Sequence, residues 1–128
     1  MRLSLAALAL SAGAAAAETP LVSIIAGADR IDAGAADVAA AEATLDMSGM
    51  PALRVRLDAR LDAGFARLTA AHVGTVIRIL ICGQVKSEPM LQTEIHTADF
   101  IVSGLTPDEA TRLAALLAQG SCGPVPVN

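Results

Sequence analysis

From Leu57 to Gly120 the chain reads LDARLDAGFARLTAAHVGTVIRILICGQVKSEPMLQTEIHTADFIVSGLTPDEATRLAALLAQG, and the order strand, helix, strand, strand, helix within it decides the fold. The last helix is the most sharply written element. Thr106-Pro107-Asp108-Glu109 supplies a capping threonine, a proline at the first helical position and a glutamate three residues after the cap. The Thr106 hydroxyl can accept the Glu109 backbone N–H, and the Glu109 carboxylate can reach back to the Thr106 N–H. Asp108 and Glu109 also place negative charge at the positive end of the helix dipole. Ala110, Leu113, Ala114 and Leu117, with Leu116 beside them, form one apolar face at helical spacing, and Gly120 provides a left-handed stop.

Working outward, the first helix is predicted over Ala59–Val73. Leu61, Phe65, Leu68 and His72 share one side, and Gly74 ends it. Gly64 inside this span costs about 1 kcal/mol relative to alanine, which favours a later start capped by Asp62. In Leu53-Arg54-Val55-Arg56-Leu57-Asp58 apolar and charged residues alternate, the mark of a strand with one buried face. Val76–Cys82 predicts a strand with Ile77, Ile79 and Ile81 inward, turned by Gly83-Gln84, and Thr93–Val102 a further extended region bounded by Ser103-Gly104. The fold class is therefore α+β: an antiparallel sheet with two helices packed on one face, a ferredoxin-like β-α-β-β-α core preceded by a β-hairpin.

The chain has 128 residues and a formal net charge of −4, which bounds it to one small domain. Met1–Ala17 reads as a secretory signal peptide: Arg2, the apolar run Leu3–Leu10 and the small residues Ala15-Ala16-Ala17 before the cut. That run is shorter than the roughly 20 apolar residues of a membrane span. Residues 18–50 hold a short strand at Leu21–Ala26, then the alanine- and aspartate-rich Gly27–Ala43, open between a helix and an irregular loop. A strand near Ala39–Leu45 follows, joined by the turn cluster Asp46–Pro51 to Leu53–Leu57 as a hairpin. Residues 51–128 form the main α+β unit. With two phenylalanines and no tryptophan or tyrosine, the core is aliphatic and no stacking platform for nucleic acid or sugar exists. The acidic balance also excludes a DNA-binding protein.

Taken together, Gly64-Phe65-Ala66-Arg67-Leu68-Thr69, Gly74, Val76–Ile81, Gly83-Gln84-Val85-Lys86-Ser87-Glu88-Pro89, Ile101-Val102-Ser103-Gly104 and Thr106-Pro107-Asp108-Glu109-Ala110 resemble, in order and spacing, the head subdomain of the first periplasmic domain of the SecD protein-export subunit. Leu113-Ala114, Leu116-Leu117, Gly120 and the closing Gly123-Pro124-Val125-Pro126-Val127 continue the resemblance, which runs over Pro51–Val127. The family places aspartate before the turn glycine, where this chain has Cys82. SecD crosses the membrane several times and this chain shows no such spans, so the resemblance implies the fold and an extracytoplasmic interaction role, not proton-coupled transport.

Cys82 and Cys122 are the only cysteines. In an oxidising compartment they can pair, because the strand ending at Cys82 and the helix ending before Cys122 can finish at the same end of the sheet. The bond would close about 40 residues, on the order of 4 kcal/mol in the chain-entropy account; two separate thiols are the alternative. His72 and His96 would make a metal site only by converging with a carboxylate such as Glu94 or Asp99, and they sit on different elements without ligand spacing. Ser87 and Ser103 lie in turns with no nucleophile elbow, and the carboxylates are scattered, so catalytic and cofactor residues are predicted to be absent. The connection Gln84–Ile95 supplies the candidate partner-binding residues Val85, Lys86, Ser87, Glu88, Met90 and Leu91, since a methionine-bearing surface adapts to varied apolar partners. The alternative is that they cap the local edge of the core.

The expected role is a non-catalytic periplasmic or secreted binding module that meets an extended polypeptide or a membrane-protein partner through a sheet edge or the Gln84–Ile95 connection. A small periplasmic metal-binding protein or enzyme, and a structural accessory domain without a ligand, are the other two readings.

Overall fold

The computed structural model describes residues 19–123; the predicted leader and the stretch after Gly123 lie outside the described residues. The elements run β1 (Val22–Ala26), β2 (Asp29–Ala33), β3 (Val38–Leu45), β4 (Pro51–Leu57), α1 (Asp62–Ala71), β5 (Arg78–Ile81), β6 (Gln84–Ser87), β7 (Asp99–Val102) and α2 (Pro107–Gln119). The architecture is α+β and every strand pairing is antiparallel. The strands do not make one sheet. They divide into a four-stranded sheet in the order β2-β1-β5-β6 and a three-stranded sheet in the order β3-β4-β7. This corrects the expected single, ferredoxin-like sheet. β1 and β6 occupy the two edges of β5, so β5 cannot lie beside β4, and the chain crosses between the sheets over residues 88–98. α2 lies against β3 and β4, whereas α1 lies nearer β2. One aliphatic core joins both sheets and both helices.

Strand β1 is central and buried along nearly its whole length, and its one polar core residue, Ser23, donates to the Asp32 carboxylate on β2 at 2.7 Å. Gly27, with φ +58°, takes the first position of the two-residue β1–β2 turn, the conformation that a II′ hairpin asks of glycine. The segment Asp29–Ala33, read from the sequence as part of a helix or loop, is thus an outer strand. β3 and β4 form the predicted hairpin. Asp46 Oδ1 accepts the N–H groups of Ser48 and Met50 and so builds the turn. On β4, Leu53, Val55 and Leu57 are buried and Arg54 and Arg56 exposed, as the alternation requires.

Helix α1 is shorter than Ala59–Val73. Asp58, not Asp62, acts as the cap: its carboxylate accepts the Arg60 N–H at 2.9 Å and starts a single 3-10 turn that leads into the helix. Asp62 instead accepts the N–H of Ala98 at 2.8 Å. Ile77, Ile79 and Ile81 point inward as expected. Gln84–Ser87 continues past the turn as β6, and the extended region before β7 is confined to Asp99–Val102. In α2, Thr106 accepts the Glu109 N–H at 3.1 Å, Pro107 opens the helix, and Gly120 ends it at φ +79°.

A candidate interaction cleft between the sheets

Residues 88–98 leave β6 and cross to β7, and their hydrogen bonds fix the walls of a cleft. Ile77 donates to Pro89 C=O, Leu91 to Thr75 C=O, and Gly74 to Leu91 C=O. Thr69, wholly buried on α1, donates its hydroxyl proton to Phe65 C=O at 2.9 Å and accepts the Ile95 N–H at 2.9 Å. The crossing segment is therefore pinned at both ends of its span. Between it, β5 and β7 lies a cleft of about 440 Å³ lined by Ile24, Phe65, Ile77, Ile79, Phe100 and Ile101, with residues 89–93 and Ile95 along one wall. That volume lies within the range of ligand pockets. Phe65 and Phe100, the only two phenylalanines in the chain, stack here with ring centroids 6.1 Å apart.

The cleft carries one charged side chain, Asp99. Arg54 grips both carboxylate oxygens, at 3.1 and 2.7 Å, and this guanidinium holds the Asp99 carboxyl below its ordinary pKa. The mouth is apolar: Met90 is 55% exposed and Ile101 41%.

The six candidate residues of the connection do not form one surface. Val85 on β6 is 46% exposed and Met90 stands at the cleft mouth, but Leu91 is only 4% exposed, packed into the core from the cleft wall. Leu91 is thus a buried residue of the cleft lining, in keeping with the alternative that part of this connection caps the edge of the core. Lys86 Nζ donates to Glu109 Oε2 on α2 at 2.9 Å, Ser87 pairs with Ile79 in the sheet, and Glu88 is exposed. The aromatic floor and Ile101 were not singled out from the sequence. The one available signal was that both phenylalanines fall at inward positions of their elements.

The structure pairs Cys82 with Cys122, Cα atoms 5.7 Å apart. Thr19 and Cys122 line the same hollow, so the two ends of the described chain meet at this bond. His72 Nε2 lies 2.8 Å from Asp29 Oδ2 and His96 Nδ1 3.4 Å from Glu94 Oε2, two separate pairs. Among the described residues no three histidine, cysteine, aspartate or glutamate side chains converge as a metal site.

A family model described as "SecDF, P1 head subdomain" matches residues 22–122. The chain belongs to the SecDF P1 head family. This P1 head is 35% identical over 86 residues to protein translocase subunit SecD of Rhodobacter capsulatus, covering 66% of this chain and 16% of that protein. It is 35% identical over 88 residues to the SecD subunit of Dictyoglomus turgidum, covering 68% of this chain and 22% of that protein. The chain thus spans less than a quarter of the curated relatives it matches. In three dimensions it superposes with TM-score 0.62 and 29% identity on a structure described as "Structure and function of a membrane component SecDF that enhances protein export", over 72% of this chain and 42% of that one. The family match includes β1 to β3 as well as the motifs after Pro51. Among the described residues no helix is long and apolar enough to cross a membrane.

Proposed function

We propose that this P1 head is a non-catalytic recognition module of the extracytoplasmic side, related to protein export, that holds extended polypeptide in the cleft between β5 and β7. One observation carries the reading: an aliphatic and aromatic cleft, wide enough for side chains, lies beside an outer strand of a sheet. Relatives described as protein translocase subunits support export as the process served. In this reading Met90 and Val85 form the accessible part of the connection, and the leader up to about Ala17 directs the chain to the periplasm or beyond. A photo-crosslinking residue placed at Met90 tests it. An unfolded secretory polypeptide should label Met90 strongly and the exposed Met47, on the β3–β4 turn outside the cleft lining, weakly. Equal labelling at the two positions, or none, would leave only a structural accessory domain.

A further inference from the structure

We infer that the occupant of the cleft is read through its backbone, as a strand added to the free edge of β7. This rests on the polypeptide-holding role proposed above and specifies its chemistry. Leu57 donates to Ala98 C=O at 2.8 Å in the register that pairs Val55 with Phe100 and Leu53 with Val102. Hydrogen-bonded pairs recur every second residue, so the N–H and C=O groups of Phe100 and Val102 point at β4, and those of Asp99 and Ile101 point the other way. Asp99 N–H is taken by Thr97 C=O at 2.9 Å. That leaves Asp99 C=O, Ile101 N–H and Ile101 C=O with no strand opposite them among the described residues.

Of the four outer strands, β2, β6, β3 and β7, only β7 contributes residues to the cleft. An extended segment laid there would fill both needs at once: main-chain groups for the edge and side chains for the cleft. The electrostatics select its composition. Asp99 is already held by Arg54, and Arg78 on β5 points to the opposite face from Ile77 and Ile79, so the cleft offers a charged side chain no free partner. The fitting partner is an uncharged, proline-poor stretch with alternate aliphatic side chains.

The test uses the full chain and a fluorescent nine-residue peptide of alternating valine and threonine, followed by fluorescence anisotropy. Two further peptides carry N-methyl groups on all valines or on all threonines. Main-chain pairing uses alternate residues, so one methylated peptide should bind at least about tenfold more weakly and the other nearly as well as the parent. Ile101→Pro, a substitution an outer strand tolerates where its N–H faces away from the neighbour, should weaken the parent peptide to a similar extent with an unchanged melting curve. Equal binding of both methylated peptides overturns strand addition while leaving the cleft as a polypeptide site. Failure of the parent peptide to bind overturns that site as well. A chain that dimerises through β7, and loses the dimer in Ile101→Pro without any competition by peptide, also overturns the inference, because the edge then serves a second copy.

Discussion

At the scale of single residues, Thr69 and Cys82 show how much rests on one side chain. A threonine inside a helix ordinarily turns its hydroxyl back to the preceding turn. Thr69 does so toward Phe65, and in addition it takes the N–H of Ile95, which would otherwise face the core unpaired. Thr69→Val keeps the shape and removes both functions, and should lower stability by about 1–3 kcal/mol in urea denaturation, with faster amide exchange at Ile95. Unchanged stability would mean that the crossing segment is anchored by packing alone. The sequence gives no hint of this bond, since its two partners lie 26 residues apart. Cys82 is the more legible case. It stands where the resembling family carries aspartate, and here its φ is +52°, followed by Gly83 at +81°. A two-residue I′ turn needs both angles positive, which aspartate and asparagine tolerate better than most residues. Cysteine occupies the strained position, and the bond to Cys122 runs from it.

At the scale of elements, legibility followed apolar content. α2, β4 and the inward isoleucines leading into β5 were readable because each repeats apolar residues at its own period. β2 and β6 were not: they are outer strands, with only Ile31 and Ala33 apolar in one and Val85 in the other, and their pairing is set by the turns before them. The division into two sheets was also hidden, because local pattern cannot say which strand a strand will pair with. α2 is joined to β6 by the Lys86–Glu109 ion pair. The Lys86 ammonium, and to a lesser degree the Thr106 backbone, hold the Glu109 carboxyl below its ordinary value of 4.5. A folded pKa lower than the unfolded one adds stability above pH 4.5, and that stability is lost as the pH falls below it. Both groups are partly exposed, so the contribution at neutral pH is about 0.2–1 kcal/mol. Glu109→Gln should therefore be slightly less stable at pH 7 and should lose less stability between pH 5 and pH 3 in thermal melts. A parallel pH profile for the two proteins would show the pair to be energetically silent.

At the scale of the whole molecule, one core serves two sheets, and the cleft opens where outer strand β7 of one sheet faces β1 and β5 of the other without pairing to them. The geometry of the candidate site is only partly legible in the sequence: the connection after β6 and the presence of sheet edges can be read locally, but the cleft floor depends on the two-sheet arrangement. The Cys82–Cys122 bond is the global constraint. Its effect falls mainly on the unfolded chain, so the double variant Cys82→Ala/Cys122→Ala should fold to the same structure and lose on the order of 4 kcal/mol, read from denaturant midpoints without reductant. A loss below about 1 kcal/mol would mean that the unfolded chain is already compact around this pair.

The nearness of Thr19 to Cys122 at that bond has a mechanical consequence. Cys82 donates its N–H to Leu21 C=O at 3.0 Å, so a pull applied at Thr19 and Cys122 passes through Leu21, just ahead of β1, one backbone hydrogen bond and a covalent link. The tension path is a few residues long and runs through one corner. α2, β7 and the residues 89–93 that wall the cleft lie outside it, so tension between Thr19 and Cys122 bypasses the cleft's outer wall.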